Sequence, residues 1–344
     1  MGRDLYRPGV LMSGGSLWID TRWNGVSGIG RFSREVTARL RPEWKPLAGG
    51  SPSSALDAVN PRRLVARSSD LIYSPGYNGG IARARQLLTL HDLMHLRSER
   101  SELRARYYDL VIRPIVRRCG AVLTVSETSR AVIEEWLGDS EVRVINVGNG
   151  LSRSVEAAPV AKPAARRVLY VGNMKDHKNF PLVARTVAGM TDWSLDVVTT
   201  DPSEAGETIA SLPELRERVR VLSRISDGEL ADTYARAAVV MMPSSEEGFG
   251  LPAIEALAAD RKVVYWKGCN AIGEVLGPFG VAVQVLDDLR GWQDALVLAA
   301  TAGQPSEQMG YSEWLQRYDW DHVADRVQSA IDDLGAVRGK ERVR

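Results

Sequence analysis

Two cysteines and four histidines in 344 residues leave little material for several kinds of protein. Cys119 and Cys269 stand far apart and in no paired motif, which excludes a disulfide framework and a thiolate metal site and fits a reducing compartment. No segment approaches the roughly 20 consecutive apolar residues of a membrane span. Residues 1–16 mix Arg3, Asp4 and Arg7 with glycines and hold no apolar stretch of the kind a signal peptide needs, so a cytoplasmic location is expected. A strong excess of one charge is also missing, the formal net charge being +1, and no nucleic-acid partner is expected.

What is present describes a globular protein with a real core: 44% hydrophobic and 25% charged residues. The length exceeds the roughly 250–300 residues at which one core usually divides, so two domains are expected. Charge separates along the chain. Residues 1–155 hold 23 Lys and Arg against 15 Asp and Glu, a net of +8, while residues 156–344 hold 21 against 28, a net of −7. The basic half carries Arg97, Arg100, Arg104, Arg106, Arg113, Arg117 and Arg118, which suits an anionic bilayer or a phosphorylated glycolipid. A solvated arginine-rich helix explains the same residues.

Apolar, β-branched runs alternate with segments of helical period, the pattern of parallel sheets covered by helices, and predict an α/β fold. Strands are expected at 17–20, 71–73, 87–90, 122–125 and 142–147, and another ending near Leu47. A helix from about Leu103 is expected to bury Leu103, Tyr107, Leu110, Val111 and Ile115, with a cationic opposite face and a kink at Pro114. A second begins near Ser126 and stops at Gly138. An Ala/Pro stretch around 156–165 reads as a linker between a domain of residues 1–155 and one of residues 166–315. Strands resume at 168–171, 195–199, 219–222, 239–242, 263–266 and 281–285. Ser226-Asp227-Gly228-Glu229 is a capping box, and a closing helix within 316–344 is expected to return to the first domain.

The most informative stretch is Pro243-Ser244-Ser245-Glu246-Glu247-Gly248-Phe249-Gly250-Leu251-Pro252-Ala253-Ile254-Glu255, which leaves an apolar strand and enters a helix. Pro252 suits the first turn, and the free amides around Gly248 to Leu251 with the positive helix end favour an anion such as a diphosphate. Glycines at 248 and 250 let backbone approach a ligand. Glu247 and Glu255 resemble the E-x7-E motif of glycosyltransferase family 4. The resemblance implies a GT-B fold of two Rossmann-like domains facing across a cleft, and retaining transfer of a sugar from a nucleotide-diphosphate-sugar, used as co-substrate, with no metal and no other cofactor. Glu247 would contact the donor sugar, Glu255 the ribose, and the backbone of Phe249, Gly250 and Leu251 the sugar and phosphate.

Residues 168–179 resemble the first strand and phosphate loop of the same family's donor domain. Lys178 would neutralise the leaving diphosphate, and Asn173 stands where many relatives carry an arginine. Ile225 falls where relatives bind the base. Ser27-Gly28-Ile29-Gly30-Arg31-Phe32-Ser33 approximates a dinucleotide fingerprint, but the strand ending at Leu47-Ala48-Gly49 lacks the acidic residue that holds an adenosine ribose, which disfavours a nicotinamide enzyme. In the family this turn, with Gly28 and Gly30, faces the donor phosphates. His91 matches an acceptor-domain histidine beside the donor sugar; His91-x3-His95 as a metal site lacks a third ligand. The acceptor would be a glycan or a lipid-linked glycan in surface-polysaccharide or glycolipid synthesis, with the protein in the cytoplasm or peripheral on the inner membrane face. A nucleotide-sugar epimerase of related fold and a non-catalytic glycan-binding protein remain the rival readings.

Overall fold

The computed structural model describes residues 15–25, 28–41, 43–52, 54–96, 102–151 and 166–341. The expected linker at 156–165, together with Ser27, Arg97 and Arg100, lies outside them. The chain divides into two compact units, Met1–Gly150 with Tyr318–Arg344, and Leu151–Arg317.

In the first unit, β1 (Leu17–Asp20), β2 (Trp44–Leu47), β3 (Leu71–Ser74) and β4 (Arg85–Leu88) form a parallel sheet in the order β2-β1-β3-β4. β5 (Ala121–Thr124) and β6 (Arg143–Asn146) pair in parallel and join β4 through a bridge between Thr89 and Leu123. Strand order therefore reverses between β1 and β3. Helix α1 (Gly28–Thr37) follows β1, and the short β2 lies beyond it.

The helix expected from Leu103 departs from its sequence pattern. Here α2 begins at Glu102–Tyr107, passes through a π turn at Tyr108–Ile112 and continues as Arg113–Cys119. The residues it buries are Tyr108, Ile112, Val116 and Cys119, while Leu103 and Leu110 are exposed. The wide turn is the cause. Arg113 N–H donates to Tyr108 five residues back, which adds a residue before Pro114, whose missing N–H the wider turn accommodates, and rotates the face away from the one that a constant 3.6 period gives. The cationic face is also thinner than expected. Arg113 donates to the carbonyl of Trp136 at 2.9 Å, Arg117 to that of Leu137 at 3.2 Å, and Arg118 to those of Ala82 and Arg83, so all three serve as local carbonyl caps.

Helix α3 (Glu127–Leu137) starts at the Ser126 cap, whose hydroxyl accepts from Ser129 N–H at 2.9 Å, and Gly138 closes it. With α2 it covers a core of Leu88, Leu90, Ile112, Val122 and Ile133.

The second unit is one six-stranded parallel sheet, built from β7 (Arg167–Val171), β8 (Ser194–Val198), β9 (Val219–Leu222), β10 (Val239–Met242), β11 (Lys262–Trp266) and β12 (Val281–Val283), in the order β12-β11-β10-β7-β8-β9. The last strand ends earlier than the sequence pattern suggests, and Val285 is exposed. Order reverses between β7 and β10. Helices α4 (Phe180–Ala188), α5 (Pro202–Ala210), α6 (Asp227–Arg236), α7 (Leu251–Ala258), α8 (Asn270–Leu276), α9 (Leu289–Thr301) and α10 (Tyr311–Gln316) complete the unit. Trp292 of α9 is the largest side chain sealed in its core, and its indole N–H donates to Leu286 O at 2.7 Å. Ser226 and Glu229 form the capping box of α6.

Helix α11 (Trp320–Glu341) packs in the first unit, with Trp320 in edge contact with Phe32 of α1 at 6.0 Å and Arg39 paired to Asp321 at 2.6 Å.

Beneath the carboxyl ends of β1 and β3 lies a buried ionic network that no sequence pattern announced. Arg22 pairs with Asp20 and with Asp57, each at 2.5 Å, Arg63 pairs with Asp57 at 2.7 Å, and Asn78 donates to both carboxylates at 2.8 and 3.0 Å. Burial alone would raise the Asp57 pKa, but the hydrogen bonds from Arg22, Arg63 and Asn78 outweigh it and hold this carboxyl well below the usual range. Because the folded value is depressed, the stabilisation is complete above about pH 4 and is lost as acidification proceeds below that. Asp57→Ala leaves two buried guanidinium groups short of a partner and should cost about 3–5 kcal/mol in the urea unfolding of the first unit, against the near-neutral change expected for an exposed acid such as Asp109.

Candidate active site

In an open parallel sheet, ligands bind outside the carboxyl ends of the strands where the strand order reverses, because the two adjoining loops diverge there to opposite faces. In the second unit that place is the pair β7 and β10. The loop after β7 carries Lys178 and the loop after β10 carries Glu247, and the fold joins them: Lys178 Nζ stands 2.5 Å from Glu247 Oε1. Both side chains are mostly buried, with 15% and 10% of their surface exposed. The backbone around them is tied as well. Ser245 N–H donates to His177 O at 2.8 Å, and Asn179 Nδ2 donates to Pro243 O at 2.8 Å from a residue with φ of 52°.

Gly250 sits at φ 92°, where a side chain is strained, and leads directly into α7 with Pro252 in its first turn. No side chain caps this helix; Pro252 has no N–H and Ala253 N–H donates to Gly250 O at 2.9 Å, which leaves the Leu251 amide as the anion donor at the positive end of the helix. Phe249 is buried and anchors the turn. Glu255 is buried one turn into α7, and the Tyr234 hydroxyl of α6 donates to its Oε2 at 3.0 Å. Tyr234 was invisible to motif reasoning; its only signal is a tyrosine on the core side of an amphipathic helix.

Asn173 shapes its own loop. Its side-chain oxygen accepts from Lys175 N–H at 3.3 Å, and its backbone oxygen accepts from the Tyr170 hydroxyl at 2.7 Å. Ile225 is half-buried beyond β9, two strands from β7, between Arg224 at φ 55° and the Ser226 cap. It is thus the member of the expected set furthest along the sheet from the Lys178–Glu247 pair. His177 was not singled out from sequence; desolvation and the neighbouring Lys178 push its pKa down.

In the first unit the reversal at β1 and β3 gathers the other expected residues. Gly28 opens α1 and is exposed, while a Cβ on Gly30 would lie 1.9 Å from the Gly25 carbonyl oxygen, so the turn closes only with glycine there. His91 follows β4. Its Nε2 is 2.9 Å from the Pro75 carbonyl, which can only accept, so Nε2 carries the proton and Nδ1 is the basic nitrogen. The ring lies edge-on to Phe32 at 4.9 Å, and desolvation lowers its pKa, keeping it neutral at neutral pH.

Two parallel sheets, each with a reversal in strand order and a glycine-rich or cationic loop at it, define a GT-B architecture. A solved structure of sucrose-phosphate synthase from Thermosynechococcus elongatus has the same fold, with a TM-score of 0.60 at 19% identity, covering 95% of this chain and 97% of that one. Residues 165–301, the region that holds Lys178, Glu247 and Glu255, match the model of the family described as glycosyl transferases group 1. The chain is 27% identical over 245 residues to the O-antigen chain mannosyltransferase RfbU of Salmonella typhimurium, covering 70% of this chain and 68% of that protein. It is 25% identical to the GDP-mannose:cellobiosyl-diphosphopolyprenol alpha-mannosyltransferase of Komagataeibacter xylinus, where the match spans 53% of this chain and about half, 49%, of the relative. The second unit thus carries a region similar to the group 1 glycosyltransferases, in a chain of GT-B fold.

An anion that binds Lys178 must displace Glu247 from it. Glu247→Gln should therefore tighten nucleoside-diphosphate binding about tenfold, the equivalent of about 1.4 kcal/mol, while Lys178→Met should weaken it by a similar factor, both measured by calorimetric titration. Weaker binding by the glutamine variant would show that the carboxylate does not compete for the lysine.

Proposed function

We propose that this protein transfers a sugar, with retention of configuration and without a metal ion, from a nucleotide-diphosphate-sugar to a hydroxyl of a glycan or lipid-linked acceptor. The observation that carries the reading is the Lys178–Glu247 pair at the strand reversal of the second unit, beside the uncapped start of α7. Such transfer breaks the bond between the anomeric carbon and the diphosphate oxygen and forms one to the acceptor oxygen. The negative charge that grows on the leaving phosphate needs fixed positive partners. Lys178 and the Leu251 amide at the start of α7 supply them in this reading. The departing phosphate oxygen takes the acceptor's proton on the face that the donor leaves.

Once the diphosphate occupies Lys178, Glu247 is released to the donor sugar's hydroxyls and the developing charge at its anomeric carbon. Glu255 receives the ribose hydroxyls, and neutral His91 offers Nδ1 to a sugar hydroxyl. Gly28 and Gly30 give backbone amides to the phosphates, and the backbone near Ile225 lies along the base. The names of the bacterial relatives favour mannose as the transferred sugar, and surface polysaccharide or glycolipid synthesis at the inner membrane face as the setting.

Incubation with GDP-mannose, and with UDP-sugars in parallel, should release nucleoside diphosphate in an acceptor-dependent manner. The rate should be unchanged by EDTA, and the product should keep the donor's anomeric configuration by NMR. Lys178→Met and Glu247→Ala should each lower kcat by about 10²–10³. An inverted product, loss of activity with EDTA, or full turnover by Glu247→Ala would refute the corresponding part of the reading.

A further inference from the structure

The segment that holds the first unit's ionic network is inside out. It consists of two short 3-10 turns, Ala55–Val59 and Pro61–Val65. Its ionic residues Asp57 and Arg63 point inward and are buried, whereas its large aliphatic residues point to the surface: Leu56 is 76% exposed, Val59 61% and Val65 65%, with Leu64 beside them. Ile81, 63% exposed, joins the same patch, because its N–H donates to the Ala58 carbonyl at 2.8 Å and Gly80 packs on Ala58. Five of the large apolar residues exposed among the described residues thus fall in one place. Exposed apolar surface costs about 25 cal/mol per Å² in water, and the ionic network fixes the segment so that it cannot turn these side chains inward.

The exposed charges of the segment that carries this patch have one sign. Between Lys45 and Leu90 the only acidic residues are Asp57 and Asp70, and both are buried. Arg62, Arg67 and Arg83 are exposed over the same stretch. Ala66, Ala82 and Ala84 meet in a small apolar cluster, so the chain next to Arg67 and the chain next to Arg83 converge there. Exposed aliphatic side chains in a segment whose exposed charges are cationic complement the boundary between acyl chains and anionic headgroups. A second copy of the chain would bring like charges together across such a patch, which disfavours self-association through it.

We propose that this patch, formed by the two 3-10 turns and Ile81, is the surface by which the first unit docks on an anionic bilayer. It shifts that role from the arginine face of α2 to the apolar turns, which Arg118 of α2 borders through the carbonyls of Ala82 and Arg83. The inference takes from the proposed function only the reason for a membrane, a lipid-linked acceptor; its evidence is the polarity of the patch.

The test is sedimentation of the full chain with phosphatidylcholine vesicles that contain or lack phosphatidylglycerol, in the absence of donor and acceptor. The chain should pellet only with the anionic vesicles. Leu56→Glu with Val65→Glu should reduce the bound fraction at least about tenfold, and Arg67→Gln with Arg83→Gln should weaken binding and flatten its salt dependence. Arg104→Gln with Arg106→Gln on α2 should leave it near the wild-type level. All three variants should keep the wild-type melting temperature and its shift with nucleoside diphosphate, which reports the donor site separately. No pelleting of the wild type with anionic vesicles, equal pelleting with phosphatidylcholine alone, or unchanged pelleting of the Leu56/Val65 variant overturns the proposal. A lipid-free dimer that the same double substitution dissolves overturns it in favour of a self-interface.

Discussion

The contact between Lys178 and Glu247 is the point on which the second unit's chemistry turns. A lysine and a glutamate that are 69 residues apart meet at 2.5 Å because β7 and β10 are neighbours in the sheet and their loops leave from the same edge. Neither loop is free to adjust. The Ser245 and Asn179 hydrogen bonds fix the backbone, Gly250 sets the angle at which α7 begins, and Phe249 fills the space beneath. A mostly buried pair of this kind is poorly solvated, so either charge left alone is costly, and an arriving anion has to replace the carboxylate rather than add to it. In the proposed reading the pair keeps the lysine placed for a phosphate, and donor binding frees the glutamate for the sugar.

In the first unit, buried charge serves order and not exchange. Asp20, Arg22, Asp57, Arg63 and Asn78 tie the ends of β1 and β3 to the turns at 55–65. Trp23 extends this tie, its indole N–H donating to Asn78 Oδ1 at 2.5 Å, and so fixes the chain that leads from β1 toward Gly28 and Gly30. One network therefore both shapes the approach to the glycine turn and presents the apolar residues of 55–65 outward.

Most of this was legible in the sequence where the signal was local. Parallel strands read as β-branched runs, the Ser226 box and Gly138 stop read as caps, and the loops carrying Lys178 and Glu247 read as motifs within residues 165–301, the region that matches the group 1 glycosyltransferase model. Three things were not legible. The π turn in α2 shifts a helical face by one residue, and a 3.6 period assigned Leu103 and Leu110 to the core when they are exposed. Arg104, Arg106, Arg117 and Arg118 are solvent-exposed as the pattern suggests, but the hydrogen bonds from Arg113, Arg117 and Arg118 to distant carbonyls leave no trace in it. The Asp57 network and the Tyr234–Glu255 contact include hydrogen bonds across sequence gaps of 21, 35 and 58 residues without a motif, and only the folded chain brings them together.

The most direct measurement is a double-mutant cycle on kcat/KM for the nucleotide-sugar, with Lys178→Met, Glu247→Gln and the two combined. If the two side chains act as one switch, the double variant should be impaired little more than the worse single variant, a coupling of roughly 1–3 kcal/mol. Effects that add within about 0.5 kcal/mol would mean that lysine and glutamate work independently, and the account of the site as a charge exchange would be wrong.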